Sequence, residues 1–328
     1  MNAIIRSVGA YVPKKRLSND DVAKIVDTSD EWIFSHTGIR NRHIADAAEA
    51  TSDLAYKAAE LALKRAELAP EDVDFILTAT CTSDYVGFPS TACIIQDKLK
   101  AHHAGCLDIS AACTGFIYGL EIAKNFVLSG SAKNVLVMGA ETMSRIMNWT
   151  DRNTCVLFGD GAGAAVVTAG NAKSNGIINS VLQAEGQGAM LLQRPVGGSR
   201  TPYKDGQYTE SDFMTKMAGQ EVYNFAIRVI IGTIKKLLKM NDLTMDDIAY
   251  IVPHQANVRI IQAACKRAKM PLDKFYLNID EYANTSAASV PIALNEMYEK
   301  KILKTGDLII TVGFGGGLTY GGNLIQWA

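Results

Sequence analysis

Short apolar runs alternate along the chain with segments whose apolar positions recur every three or four residues. Phe75-Ile76-Leu77-Thr78-Ala79-Thr80, Asn134-Val135-Leu136-Val137-Met138 and Asp307-Leu308-Ile309-Ile310-Thr311-Val312 are compact, β-branched and almost free of charge. A strand wet on one face alternates apolar with polar, so runs like these predict strands covered on both faces. Between them, Leu54, Ala58, Leu61 and Ala62 share one helical face, and Ala226, Val229, Ile230, Thr233 and Leu237 share another. Thr51-Ser52-Asp53 predicts the N-cap of the first of these helices. Alternation of this kind predicts an α/β architecture.

The pattern also repeats. Leu68-Ala69-Pro70-Glu71-Asp72-Val73-Asp74-Phe75-Ile76-Leu77 reads like Leu243-Thr244-Met245-Asp246-Asp247-Ile248-Ala249-Tyr250-Ile251-Val252, at an offset of 175. Leu107-Asp108-Ile109 is echoed by Leu277-Asn278-Ile279 at an offset of 170. Each echo precedes a small-residue turn, a helical stretch and a strand. A period this long means a duplicated domain, not a solenoid. The polar link Thr168 to Gly176 predicts the boundary, giving halves 1–172 and 173–328. The Gly-, Pro- and polar-rich stretch Pro195 to Asp212 predicts a surface loop or flap.

Composition narrows the function. The chain has 328 residues, 48% hydrophobic and 20% charged, with 33 basic against 34 acidic side chains. A formal net charge of −1 argues against nucleic-acid binding through a bulk basic surface. No apolar run is long enough for a membrane span. Arg6 interrupts the N-terminal run too early for a signal peptide, so a cytoplasmic setting is expected. None of the six cysteines forms a CxxC pair, and the histidines at 36, 43, 102, 103 and 254 show no metal-ligand spacing. No metal site is expected.

Candidate chemistry sits where strands give way to turns. Cys113 lies in Leu107-Asp108-Ile109-Ser110-Ala111-Ala112-Cys113-Thr114-Gly115-Phe116, an apolar strand running into small residues and then a helix. A thiol at a helix N-terminus is expected to be shifted toward thiolate and open to substrate. The other five cysteines are expected to be inert core residues. His254 follows the strand Tyr250-Ile251-Val252, at the sheet end where α/β sites form. Asn284, in Tyr282-Ala283-Asn284-Thr285-Ser286, occupies in the second repeat the place that Cys113 holds in the first. Gly313-Phe314-Gly315-Gly316-Gly317 follows the last long strand and can aim backbone N–H groups at an oxyanion. Gly159-Asp160-Gly161-Ala162-Gly163 is not a dinucleotide loop, because a strand-like run follows it in place of a helix. A thiol, two polar partners and an oxyanion turn support acyl transfer through a thioester, by a transferase or a hydrolase.

With these residues in view, the chain resembles the beta-ketoacyl-acyl carrier protein synthase III family, the initiating condensing enzymes of bacterial type II fatty acid synthesis. The likeness runs nearly end to end. It includes Asp27-Thr28-Ser29-Asp30-Glu31-Trp32-Ile33, Thr37-Gly38-Ile39-Arg40, Phe88-Pro89-Ser90, the Cys113 segment, Asp151-Arg152, Phe158-Gly159-Asp160-Gly161-Ala162-Gly163, Pro253-His254-Gln255-Ala256-Asn257, Asn284-Thr285-Ser286 and Gly313 to Gly317. The resemblance implies a thiolase-like fold, two βαβαβαββ-type halves in five layers (αβαβα), working as a homodimer. It implies that Cys113 takes an acyl group from acyl-CoA. His254 and Asn284 would stabilise the enolate formed when malonyl-acyl carrier protein loses carbon dioxide, and the N–H groups of Cys113 and Gly316 would hold the oxyanion. By the same resemblance Trp32 and Arg152 stack the CoA adenine, and Asn257 meets the pantetheine arm. Met143 and Phe158 line the acyl pocket, which Phe88 of a second subunit closes. Gln255, Arg259, Lys266 and Arg267 would receive the acyl carrier protein. No cofactor is implied beyond these substrates, and a short primer, acetyl-CoA first, is expected.

Departures and rivals are few. His36 stands where the family usually has Arg, Tyr223 replaces a usual Phe, and Asn224 replaces a common basic residue. Elongating synthases carry a second His in place of Asn284, and HMG-CoA synthases a Glu near the Cys. Thiolases use a Cys near the C-terminus, whereas the last one here is Cys265. Plant-type polyketide synthases share Cys-His-Asn but usually carry Gly-Phe-Gly-Pro-Gly, where this chain has Gly316 as the fourth residue. A condensing enzyme of a polyketide or secondary-metabolite pathway is the alternative function. A papain-like peptidase would lack the duplication, and a non-catalytic partner subunit would lack Cys113.

Overall fold

The computed structural model describes residues 2–170 and 176–328. The proposed junction at 172/173 therefore lies outside the described residues. Two sheets form the frame. The first contains β1 (Asn2–Tyr11), β2 (Phe75–Ala79), β3 (Gly105–Ile109), β4 (Asn134–Thr142) and β5 (Asp160–Gly170), in the order β1-β5-β4-β2-β3. The second contains β6 (Ile177–Ala184), β7 (Tyr250–Pro253), β8 (Leu308–Gly315) and β9 (Thr319–Gln326), in the order β6-β9-β8-β7.

Strand directions match between the sheets. β1 on β5 and β5 on β4 are antiparallel, as are β6 on β9 and β9 on β8. β4 on β2 and β8 on β7 are parallel. β3 extends the first sheet parallel to β2, and in the second sheet that place is held by a single parallel bridge between Ile251 and Phe275. Leu277-Asn278 forms no strand, and Ile279 opens a short helix, so the second echo in the sequence marks a place in the topology without being a strand.

Helices complete five layers. α2 (Thr51–Ala66) and α3 (Thr91–Leu99), which follow α1 (Asp30–Thr37), cover the outer face of the first sheet. α4 (Gly115–Leu128) and α7 (Ser289–Glu299) fill the space between the sheets, and α5 (Gly219–Met240) and α6 (Val258–Ala268) cover the second. Position explains composition. α7 lies inside, and from Ser289 to Asn295 every residue is buried. Its Pro291 falls in the first turn, where no backbone donor is needed. α5 is outer and amphipathic, burying Val222, Phe225, Ala226, Val229, Ile230, Thr233, Ile234 and Leu237.

The cap of α2 differs from the expectation. Ala50 is the N-cap residue, and its N–H donates to the Asp53 carboxylate. Thr51 and Ser52 lie inside the first turn, where the Thr51 hydroxyl donates to Thr82 O at 2.6 Å.

The inner helices share one more feature. Ala112, three residues before α4, has φ of 46°, and Ser286, three residues before α7, has φ of 50°. A short 3-10 turn leads into each helix. The counterpart of Cys113 in the second half is thus Ala287, and Asn284 stands three residues earlier.

Candidate active site

The turn ahead of α4 places Cys113 at the junction of two cavities. One, of about 100 Å³, is lined by Cys113, His254, Asn257, Asn284, Phe314 and Gly315. The other, of about 420 Å³, is lined by Cys113, Met143, Ile146, Phe158, Thr215 and Gly316. Phe158 and Leu192 belong to both walls. Cys113, His254, Asn284, Asn257, Met143, Phe158 and Gly316, dispersed through the sequence, are brought together around these spaces.

His254 extends β7, its N–H donating to Val312 O at 2.7 Å. The ring is 1% exposed, packs edge-on against Phe314 at 5.4 Å, and sets Nδ1 2.7 Å from Ser289 Oγ. Burial drives its pKa down to about 3, so the imidazole is neutral at physiological pH.

Asn284 is clamped between the halves. Its N–H donates to Leu157 O at 2.9 Å, and its carbonyl accepts from Gly159 N at 3.1 Å. Its side-chain Oδ1 accepts the Ser286 N–H at 2.8 Å, which leaves the amide NH₂ as the free end. The Ser286 hydroxyl donates in turn to Glu141, a fully buried carboxylate at the end of β4 that also accepts from Thr82, Thr80 and Cys81 N. Burial pushes the Glu141 carboxyl above its ordinary range, and these donors oppose the shift. Sequence reasoning missed Glu141 and Ser289. A lone acid closing an apolar strand was the available signal for Glu141.

The cysteines depart from expectation. Cys113 is 8% exposed, and burial pushes its thiol up to about 12, against a smaller downward pull from the Ser286 hydroxyl. Three residues of 3-10 turn do not offset that desolvation. Among the other five, Cys155 and Cys265 are buried, but Cys81 and Cys93 are exposed and Cys106 is half-buried.

Trp32, on α1, is half-buried. The Arg152 guanidinium lies 4.7 Å from its ring centre, and His36 stacks on the same ring at 4.5 Å. His36 thus takes a packing role on Trp32. Asn257 caps α6 through Arg259 N at 2.8 Å and donates to His36 O at 3.0 Å, so its amide is already engaged while it lines the smaller cavity. Phe88 is 88% exposed and lies outside its own chain's cavities.

Arg259, Lys266 and Arg267 are exposed on α6 and enter no ion pair among the described residues. Gln255 does not join them. It is 2% exposed, donates to Pro253 O and Tyr276 O, and accepts from Asn278 N. Its side chain braces the loop after β7 from within and cannot reach a docked protein.

The chain matches the family model for 3-oxoacyl-[acyl-carrier-protein (ACP)] synthase III over residues 107–186 and the corresponding C-terminal model over 238–327. A beta-ketoacyl-[acyl-carrier-protein] synthase III of Caldanaerobacter subterraneus subsp. tengcongensis is 53% identical, over 99% of this chain and 97% of that protein. The crystal structure of 3-oxoacyl-[acyl-carrier-protein] synthase III from Aquifex aeolicus VF5 superposes with a TM-score of 0.91 at 44% identity, covering 99% of this chain and 100% of the other. The priming beta-ketosynthase of the R1128 polyketide pathway follows at 0.89 and 33%, covering 99% and 96%.

Duplicated halves in five layers, with these likenesses, place the molecule among the condensing enzymes of thiolase-like fold. Within that class the chain belongs to the beta-ketoacyl-[acyl-carrier-protein] synthase III family, the carbon–carbon bond-forming acyltransferases that open fatty acid synthesis.

Proposed function

We propose that Cys113 accepts a short acyl group from acyl-CoA and passes it to the carbanion of malonyl-acyl carrier protein. The observation that carries this reading is the position of Cys113 between two cavities. The smaller one brings His254 and Asn284 to the thiol, and the larger one offers Met143, Ile146 and Phe158 beside it. Sγ attacks the acyl-CoA carbonyl, and the thiol proton leaves with the CoA sulfur. The acyl chain enters the larger cavity beside Met143 and Phe158.

The malonyl thioester of malonyl-acyl carrier protein then enters the smaller cavity. Its carboxylate departs as carbon dioxide, and the electron pair left behind forms an enolate. The His254 Nε2–H and the Asn284 amide donate to the enolate oxygen. Fixed donors of this kind contribute roughly 3–4 kcal/mol each where charge develops in a dry site. The enolate carbon attacks the acyl-cysteine, and the N–H groups of Cys113 and Gly316 hold the tetrahedral oxyanion. Collapse expels the Cys113 thiolate, which takes up a proton and frees 3-ketoacyl-acyl carrier protein.

The remaining roles follow the same reading. Trp32 and Arg152 hold the CoA adenine, which requires the two touching side chains to part, and the wall containing Asn257 guides the pantetheine arm. Arg259, Lys266 and Arg267 form a basic face for the acidic carrier protein. The chain acts as a cytoplasmic homodimer of two-half subunits, 1–172 and 173–328, and needs no cofactor beyond its substrates. The open edge of β3, with Leu107 43% exposed, and the exposed Tyr85, Val86 and Phe88 suit a subunit contact. A primary lipid role is favoured over a polyketide one by 53% identity to a fatty acid enzyme against 33% to the polyketide one.

Purified protein given acetyl-CoA and malonyl-acyl carrier protein is expected to yield 3-ketobutyryl-acyl carrier protein by intact mass. Product with octanoyl-CoA alone would overturn the short-primer reading, and no product with any acyl-CoA would overturn the reaction.

A further inference from the structure

His254 can act as a donor at the enolate oxygen only if its proton sits on Nε2, and neither neutral tautomer is favoured enough by imidazole itself to secure this. Ser289, the first residue of α7, supplies the missing constraint. Its side chain is 2% exposed and its Oγ lies 2.7 Å from His254 Nδ1. The same oxygen accepts the N–H of Gln255 at 3.4 Å. A serine hydroxyl has one hydrogen and two lone pairs. With the Gln255 N–H on one lone pair, two arrangements are open.

In the first, Ser289 donates to Nδ1, every polar hydrogen is paired, and Nε2 carries the proton toward the cavity. In the second, Nδ1–H donates to Ser289, and the hydroxyl hydrogen has no acceptor among the described residues. An unpaired buried donor loses its hydration with nothing in return, which disfavours that arrangement. That arrangement would also turn a bare Nε2 lone pair toward the developing oxyanion.

We infer that Ser289 is a positioning residue that holds His254 in its Nε2–H tautomer for enolate stabilisation. The inference rests on the condensing reaction proposed above. Ser289 lies five positions after Asn284, so one turn of the second half orients both donors. Asn284 is turned by the Ser286 N–H on its Oδ1, and His254 is turned by the Ser289 hydroxyl on its Nδ1.

The test uses the full-length protein labelled with ¹⁵N in the imidazole rings, with the His254 signals assigned by their loss in His254→Gln. Wild type is expected to show His254 protonated at Nε2 and bare at Nδ1, and Ser289→Ala to show a mixture. In activity, Ser289→Ala should slow decarboxylation of malonyl-acyl carrier protein roughly 10- to 100-fold, less than the roughly 100- to 1000-fold of outright loss of one oxyanion donor, because part of the population keeps the Nε2–H tautomer. Uptake of the acyl group from acyl-CoA should remain within about twofold, which also reports that the variant is folded. Ser289→Thr should recover most of the rate, whereas Ser289→Val, equal in shape but without the hydroxyl, should not. A wild-type Nδ1–H tautomer, or a valine variant as fast as the threonine one, would overturn the inference. Failure of wild type to condense would overturn the reaction instead, because the tautomer is read without substrate.

Discussion

Gly315 lies so close to Cys113 that a Cβ on it would come within 2.7 Å of the Cys113 backbone nitrogen and 3.1 Å of its Cβ. β8 of the second half therefore presses on the turn that presents the thiol of the first. Both contacts are with atoms near the backbone, which cannot swing aside as the tip of a long side chain would.

Gly315→Ala should displace the Cys113 turn. We expect a stability loss of about 1–3 kcal/mol from overpacking, and acyl uptake slowed at least tenfold. Urea unfolding and acylation rates measured on the same preparation check this. A variant that acylates at the wild-type rate would show the close approach to be incidental.

Burial of His254 gives stability a pH dependence whose sign follows directly. The unfolded imidazole titrates at its ordinary value of 6.5 and the folded one at about 3. Between these values the unfolded chain binds the extra proton, so the contribution of His254 worsens as pH falls from 6.5 toward 3. Glu141 and Asp160, whose carboxyls are raised by burial, act in the opposite sense, but a comparison with His254→Asn cancels them. From pH 7.5 to 5 the wild type should lose about 2 kcal/mol more than the variant. Equal losses in urea titrations at matched concentration would contradict a buried neutral histidine. The decarboxylation rate should likewise show no inflection near pH 6.5 from this group.

Asn284→Ala should separate the half-reactions. Cys113 does not need the carboxamide to attack acyl-CoA, whereas enolate formation loses a donor worth roughly 3–4 kcal/mol. Acyl uptake should stay near normal while condensation falls about a hundredfold or more. Equal loss in both would make Asn284 structural, through the bond its side-chain Oδ1 accepts from Ser286 N–H.

The sequence made the frame legible because buried strands and inner helices leave dense apolar runs. Residues 134–138 and 307–312 needed no partner to be recognised. The echo at 277–279 failed as a strand because only Phe275 pairs with β7, and local pattern does not report which residue a neighbour accepts. Cys113, His254 and Asn284 were legible from their turns. The thiol's pKa was not, since desolvation depends on packing by distant segments such as Leu192 and Phe314. Gln255 looks like a surface residue by type, and its burial shows only when Tyr276 and Asn278 close around it. Ser289 lies in a run of small residues where nothing marks one hydroxyl from the next.

Phe88 should set primer length from the neighbouring subunit. In a single chain it is 88% exposed and stands with the exposed Tyr85 and Val86, an apolar patch of the kind that another chain covers. Phe88→Thr should raise octanoyl-CoA uptake relative to acetyl-CoA, because each added methylene then gains roughly 0.8 kcal/mol where the ring had blocked it. An unchanged ratio, with a sizing column showing an intact dimer, would remove Phe88 from the pocket.

The account depends most on the identity of the nucleophile, and the mass of the intact chain after incubation with acetyl-CoA tests it. One added acetyl group per chain is predicted for the wild type, with none on Cys113→Ala and full labelling of variants lacking the exposed Cys81 and Cys93. Acetylation persisting in Cys113→Ala, or lost with Cys81 or Cys93, would contradict it.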